Sequence, residues 1–238
     1  MNSRRKQVLP SLLFFLMLLS CVGLSVFFLL RGTGQSLDSS IQAISAVLVI
    51  DPGHGGIDGG AVSDDGSKES DLNLSISLKL RDFSELLGVP YVMTRTDDSV
   101  RCDYADYSEH EDLVRRTSLV NDTPGAMLIS IHQNDFPTGQ PSGSQVLYAA
   151  TPGSEAFGKL CHQNLISHLD PQNRRVAVPA PKNLYITSHI YCPAILVECG
   201  FMSNNYDVQK LCDEAYQRSL AMILAASFLQ YTNESDII

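Results

Sequence analysis

Residues 46–50 read Ala-Val-Leu-Val-Ile, an unbroken apolar run that stops at Asp51. The chain then enters a turn holding Gly53, Gly55, Gly56, Gly59 and Gly60 around a single histidine, His54. A strand that is apolar at every position is covered on both faces, as inner strands of parallel sheets are. The turn is not a phosphate loop: it lacks Gly-Lys-Ser/Thr, and the Gly-x-Gly-x-x-Gly spacing breaks at Asp58. Downstream, Leu72, Ile76, Leu80, Phe83 and Leu87 recur at helical spacing, and Gly88 closes that helix. Further strands are expected at 90–94, 126–131, 143–150, 183–187 and 194–198, with helices near 109–121, 153–168 and 206–230. Strands alternating with helices predict an α/β fold: a mixed, mostly parallel central sheet in three layers, flanked by helices. In such sheets function gathers where strands end.

The N-terminal part reads differently. Residues 8–30 form a 23-residue stretch without a charge. At about 1.5 Å per residue this is roughly 34 Å of helix, enough to cross a hydrocarbon core of about 30 Å. The run continues through Cys21 to Leu30 without a small-residue cleavage site, which predicts an uncleaved transmembrane helix rather than a signal peptide. Arg4, Arg5 and Lys6 precede the span and only Arg31 follows it, which places the N-terminus in the cytoplasm and the rest outside. The expected result is a single-pass cell-membrane protein with its folded part extracytoplasmic: tail and anchor at 1–31, a small-residue linker at 32–44, one domain beyond. Residues 32–238 carry 13 basic against 26 acidic side chains, net −13, which argues against a nucleic-acid partner. The cysteines Cys21, Cys102, Cys161, Cys192, Cys199 and Cys212 show no Cys-x-x-Cys spacing; most are expected to act as small buried hydrophobes.

Three strand ends carry chemistry. His54 follows the first strand, His132 follows 126–131, and Glu198 ends 194–198. A carboxylate at the end of an apolar strand needs a cation or a proton-sharing partner. Glu69, at the start of the first helix, taken alone is an acid placed well for the helix dipole. With two histidines at other element ends, it completes the donor set of a catalytic zinc site with an open fourth position. His54, Glu69 and His132 are therefore the expected ligands of one Zn2+ per chain, and Glu198 the general base. His110-Glu111 starts a His-Glu-x-x-His motif that fails at Val114. The seven acids within 97–112 are expected to form a solvated surface, and His162, His168 and His189 to be surface or packing residues.

These segments together resemble a known family. Val49-Ile50-Asp51-Pro52-Gly53-His54-Gly55-Gly56, Lys68-Glu69 with Asn73-Leu74, Thr94-Arg95, Ser130-Ile131-His132-x-Asn134 and Val197-Glu198-x-Gly200-Phe201-Met202-Ser203-Asn204 are similar, in that order, to zinc-dependent N-acetylmuramoyl-L-alanine amidases of the amidase 3 type. Arg116 and Asn121 fit a further segment, with Val120 where alanine is usual. Asp135, Cys199 and Asp207 also depart from the usual pattern, but none is a proposed ligand. The resemblance implies a six-stranded sheet and a catalytic domain over 45–232, with a tail at 233–238. It implies zinc on His54, Glu69 and His132, Glu198 as catalytic residue, and peptidoglycan stems as substrate. A short chain with a membrane anchor through residues 8–30 further resembles the sporulation and germination amidases of endospore-forming bacteria, whose peptide removal prepares the muramic-lactam of spore cortex. A general cell-separation amidase, a zinc exopeptidase and an inactive peptidoglycan-binding relative are the alternatives. The sequence names no activating protein.

Overall fold

The computed structural model describes residues 46–100, 107–138 and 141–235. Strand β1 (Val47–Pro52) lies inside a six-stranded sheet, and Leu48, Val49 and Ile50 have no exposed surface, as the apolar run requires. The order along the chain continues with α1 (Glu69–Leu87), β2 (Tyr91–Met93), α2 (Glu109–Asn121), β3 (Ala126–Asn134), β4 (Gln145–Tyr148), α3 (Ser154–His168), β5 (Val178–Pro179), α4 (Tyr185–Ser188), β6 (Ala194–Phe201), α5 (Asn205–Cys212) and α6 (Glu214–Ser235). The strands lie in the order β2-β1-β3-β6-β4-β5. β2, β1, β3 and β6 are mutually parallel; β4 runs antiparallel to β6 and pairs in parallel with β5. The sheet is therefore mixed and mostly parallel.

Each strand alternates its side chains between two covered faces. One face packs Ile50, Ile129, Ile131, Ile195 and Val197 against Leu72, Ile76 and Leu80 of α1, Phe157 and Leu165 of α3, and Leu224 and Phe228 of α6. The other packs Val49, Leu128 and Leu196 against Val120 of α2 and Ile186 of α4. Helix α1 ends as its sequence predicts, with Gly88 left-handed (φ 69°) and its N–H bonded to the Glu85 carbonyl.

Three expectations are corrected. The strand expected at 183–187 is the single helical turn α4, and the sheet edge is instead the two-residue β5. Pro179 suits that edge because a proline cannot donate within a sheet, while the Leu184 N–H bonds back to Pro181 and starts the turn. The helix expected over 206–230 is two helices. Asp213 is extended (ψ 122°) and its carboxylate accepts the Tyr216 N–H, so it caps a second start. The acidic stretch is not wholly solvated: Asp112 is buried and paired with Arg116. Among the described cysteines, Cys161 and Cys199 are buried, Cys192 half-buried and Cys212 exposed, all as free thiols. The expected span at 8–30 and linker at 32–44 fall outside the described residues, and no described helix is long and apolar enough to cross a membrane.

Candidate active site

The turn after β1 is held from beneath. Asp51 ends the strand as a buried carboxylate that accepts from Thr94 Oγ1 (2.6 Å), Ser130 Oγ (2.7 Å) and Arg116 Nη1 (3.0 Å). Burial pushes this carboxyl up, but Arg116 and the two hydroxyls outweigh that and hold it below the usual range. Arg116 is itself bound by Asp112 (2.6 Å) and donates to the carbonyls of Pro52 (2.7 Å) and His54 (2.7 Å). Arg95 Nη2 and Asn73 Nδ2 both donate to the Gly53 carbonyl, at 3.0 and 3.1 Å. Three successive carbonyls are thus clamped by buried side chains. His54 sits in their grip with φ 59°, a left-handed conformation a non-glycine residue adopts only when its surroundings impose it.

The clamp aims His54 at two partners. Its Nδ1 meets Asp58 Oδ2 at 2.8 Å, which leaves Nε2 facing Glu69 Oε1 at 3.3 Å. His132 Nδ1 approaches the same Glu69 oxygen at 3.1 Å. One donor atom from each of His54, Glu69 and His132 lies within 4.8 Å of the other two, so the three can hold a metal ion. Glu69 is fixed further by the backbone N–H groups of Gln133 and Ala61, both at 3.0 Å. Burial raises the Glu69 carboxyl, but the hydrogen bonds with both histidines drive it far below the carboxylate range. Burial lowers the His54 imidazole, yet its bonds to Asp58 and Glu69 raise it to about 10. The cluster therefore draws positive charge to the point between its three donors. Two glycines make room: a Cβ on Gly53 would stand 2.3 Å from the His132 ring, and one on Gly60 2.7 Å from Glu69 Oε2.

Glu198 stands one strand away, directly opposite His132 in the β3–β6 ladder. It lines the same cleft of about 330 Å³, but its oxygen Oε2 is covered and has no hydrogen-bond partner among the described residues. Burial, reinforced by the neighbouring Glu69 charge against the pull of His132, pushes its carboxyl up to about 7.

This turn-helix-strand constellation matches a protein family over almost the whole described chain. Residues 48–229 fit the Amidase_3 family, described as N-acetylmuramoyl-L-alanine amidase. The chain belongs to that family. The germination-specific N-acetylmuramoyl-L-alanine amidase of Bacillus subtilis (strain 168) is 31% identical over 202 residues, which cover 82% of this chain and 83% of the relative. The CwlD amidase from Clostridioides difficile, solved in complex with the GerS lipoprotein, superposes with a TM-score of 0.75 at 31% identity, covering 79% of this chain and 99% of that one. The catalytic domain of CwlV, an N-acetylmuramoyl-L-alanine amidase from Bacillus (Paenibacillus) polymyxa var. colistinus, superposes at 0.67 with 26% identity, covering 79% and 98%.

In this Amidase_3 chain the tertiary structure brings together all four residues singled out in the sequence, His54, Glu69, His132 and Glu198. Sequence reasoning missed what holds them. Asp58 was read only as the residue that breaks a glycine pattern, and Asp51, Asn73, Arg95, Arg116 and Gln133 had no assigned task. The signal available for Asp51 was the one used for Glu198, a carboxylate ending an apolar run. The remaining histidines do not join the cluster. His110 meets Tyr185 edge-on (5.2 Å between ring centroids), and His189 stacks on the same ring at 4.0 Å. His162 is buried, and its Nε2 bonds the Arg175 carbonyl at 2.9 Å.

Proposed function

We propose that this amidase uses one zinc ion per chain to hydrolyse the amide between the lactyl group of N-acetylmuramic acid and L-alanine in peptidoglycan. The observation that carries the reading is the convergence of His54, Glu69 and His132 beside a carboxylate whose oxygen Oε2 is left without a partner. The donor set suits the metal: two imidazole nitrogens and one carboxylate oxygen, with a cleft open on one side, is the pattern of catalytic zinc. The three donor atoms lie within 4.8 Å of one another around a buried carboxylate, so a dication can take the place of the protons the histidines hold without it. When bound, zinc supplies Lewis acidity to the amide carbonyl and to the attacking water.

The rest is work for side chains. Asp58 accepts the Nδ1 proton of His54 and so presents Nε2 as the ligand atom. Glu198, with a carboxyl poised near neutrality, accepts the proton of the attacking water on its oxygen. Attack makes the carbonyl carbon tetrahedral. Glu198 then returns the proton to the amide nitrogen, the C–N bond breaks, and L-alanine leaves as an amine; the lactyl group is left as a carboxylic acid, whose remaining proton passes to solvent or to the released amine. The carboxylate of Glu198 ends the cycle as it began.

Residues 8–30 anchor this domain at the outer membrane face, beside its polymeric substrate. The germination-specific name of the Bacillus subtilis relative supports a task in spore cortex, where peptide removal precedes lactam formation. The CwlD relative was solved with a lipoprotein, and an anchored enzyme is well placed for such a partner on the same surface. The deciding experiment is mass spectrometry of purified peptidoglycan fragments incubated with the full chain in detergent and zinc. Peptides with a free L-alanine amine and glycans with unsubstituted lactyl groups are expected. Cleavage at another bond, or none by protein carrying one zinc per chain, overturns the reading.

A further inference from the structure

The row of sheet positions that carries His132 and Glu198 continues past the site. Glu198 lies opposite His132 on one side and opposite Gln145 of β4 on the other. Residues directly opposite each other point to the same face, and neighbouring strands are about 4.8 Å apart. Gln145 Oε1 in turn accepts from Arg175 Nη2. The order across this edge is thus metal ligand, proton carrier, amide, guanidinium.

Arg175 is a built feature rather than a loose surface residue. Its N–H donates to Asn173 Oδ1 at 3.0 Å, and its carbonyl receives the buried His162 Nε2. Asn173 is buried and tied to the Ser144 carbonyl at 2.8 Å. The Arg175 guanidinium lies 4.9 Å from the centre of the Phe201 ring, and its covered Nε–H has no partner among the described residues. Glu198 and Asp207 act on its charge from a distance, but among the described residues no carboxylate comes within 4.0 Å of Arg175 or Arg174. Both arginines line a second cavity of about 540 Å³ with Asn173, Tyr206 and Lys210. Lys210 is already paired, with Asp207 at 3.1 Å and Asp170 at 3.6 Å. Asp170 lines the same cavity but is engaged by Lys210, so among the described residues the two arginines face the cavity without an acidic partner of their own.

We propose that Arg175, with Arg174 at the same cavity, binds a free carboxylate of the peptide on the amine side of the scissile bond. The assignment rests on the amidase reading above. Glu198 hands its proton to the leaving nitrogen, so the peptide runs from the metal ligands past Glu198 toward Arg175. The guanidinium lies beyond Gln145, more than one strand spacing of about 4.8 Å from Glu198; a carboxylate of the second residue stands about two steps of about 3.8 Å from the scissile nitrogen, which spans that distance. A guanidinium fork matches the two oxygens of a carboxylate and loses that match with a neutral amide. Arg175 thereby selects peptides whose second residue keeps a free acid.

The test compares two substrates of the full zinc-loaded chain: N-acetylmuramoyl-L-alanyl-glutamate and the same compound with its glutamate carboxyls amidated. R175Q should raise KM for the acid roughly tenfold or more, the scale of a lost charge-assisted hydrogen bond, with kcat within about twofold. KM for the amide should stay within about twofold of the unaltered enzyme, and R175K should recover part of the loss for the acid. An equal KM rise for both substrates, or a loss in kcat alone, assigns Arg175 to supporting Glu198 and overturns the proposal. Calorimetry of the unaltered, zinc-loaded protein with L-alanyl-glutamate and with its diamide decides the matter without any variant: equal affinities overturn it. If both compounds are cleaved with equal kcat/KM, the subsite is wrong and the amidase reading stands. If neither is cleaved while the acid dipeptide still binds more tightly, the amidase reading fails instead.

Discussion

Glu69 and Glu198 both face the cleft, and their neighbours separate their tasks. Glu69 receives hydrogen bonds on both oxygens and is fixed in place, whereas Glu198 has an oxygen, Oε2, without a hydrogen-bond partner among the described residues. Glu69→Gln is therefore expected to lose zinc along with turnover. Glu198→Gln should keep zinc and lose about 10²–10⁴-fold in turnover, the usual worth of a general acid–base group. Bound zinc measured on both purified variants, beside release of L-alanine-terminated peptide, checks the pair; the reverse pattern exchanges the roles. The pH dependence follows from the same surroundings. Glu198 must be ionised to take a proton, so kcat/KM should rise with pH, and the charge of bound metal draws the acid limb to or below about 7. In metal-free protein the raised carboxyl has the opposite consequence for folding. The native state holds this proton more tightly than the unfolded chain, whose carboxyl titrates at the ordinary 4.5, so the benefit is full below that value and is lost as pH rises through about 7. Urea unfolding at pH 5 and pH 8 should show a smaller loss of stability in Glu198→Gln than in the unaltered protein.

At the scale of elements, the turn after β1 depends on α2, a helix more than sixty residues away in the chain. Arg116 stands between two carboxylates, Asp51 of β1 and Asp112 of α2, and passes its remaining donors to the carbonyls of Pro52 and His54. Removing the guanidinium leaves two buried acids without their cation. Arg116→Met should destabilise the domain by about 3–5 kcal/mol, the usual cost of breaking a buried pair by one partner, and should weaken zinc binding by freeing His54 from its left-handed conformation. Chemical unfolding and competition with a zinc chelator measure the two effects. Wild-type zinc affinity in a folded Arg116→Met protein would separate the clamp from the metal centre. The same scale explains the misread elements. The alternation of Leu184 and Ile186 looks like a strand, but a turn begun at Pro181 coils those residues onto the sheet face, while Pro179 takes the edge. Asp213 divides the last helix because its side chain competes for the N–H groups of a new first turn.

For the whole molecule, charge and hydropathy divide the chain in two. Residues 1–31 hold four basic and no acidic side chains, and residues 32–238 carry net −13. An anchored enzyme has its reach set by the linker, and a dilute soluble one does not. N-terminal sequencing of the protein recovered from membranes is expected to begin within residues 1–7. A mature chain starting after residue 31, or at a lipidated Cys21, would show that the stretch is removed rather than retained.

Sheet, strand ends and the four residues of the site were legible in the linear order because their causes are local. An apolar run long enough for one strand announces a two-sided burial, and a histidine or glutamate at its end has few other reasons to be there. The residues that hold the site were not legible. Asp51, Asp58, Asn73, Arg95 and Arg116 are polar side chains of ordinary kinds, and many of their partners lie 20 to 79 positions away. Which carbonyl an arginine reaches is decided by the packing of α1 and α2 on opposite faces of β1. Arg175 shows the same limit. It stands between Arg174 and Val176 with no motif around it, and only the antiparallel pairing of β4 with β6 sets it beyond Glu198 along one row of the sheet. The sequence by itself determined which chemical groups the strands deliver to their ends, because hydrophobic patterning acts over a few residues. The tertiary structure alone decided how those groups are clamped and what lies next to them, because hydrogen bonds and charges are paired through space.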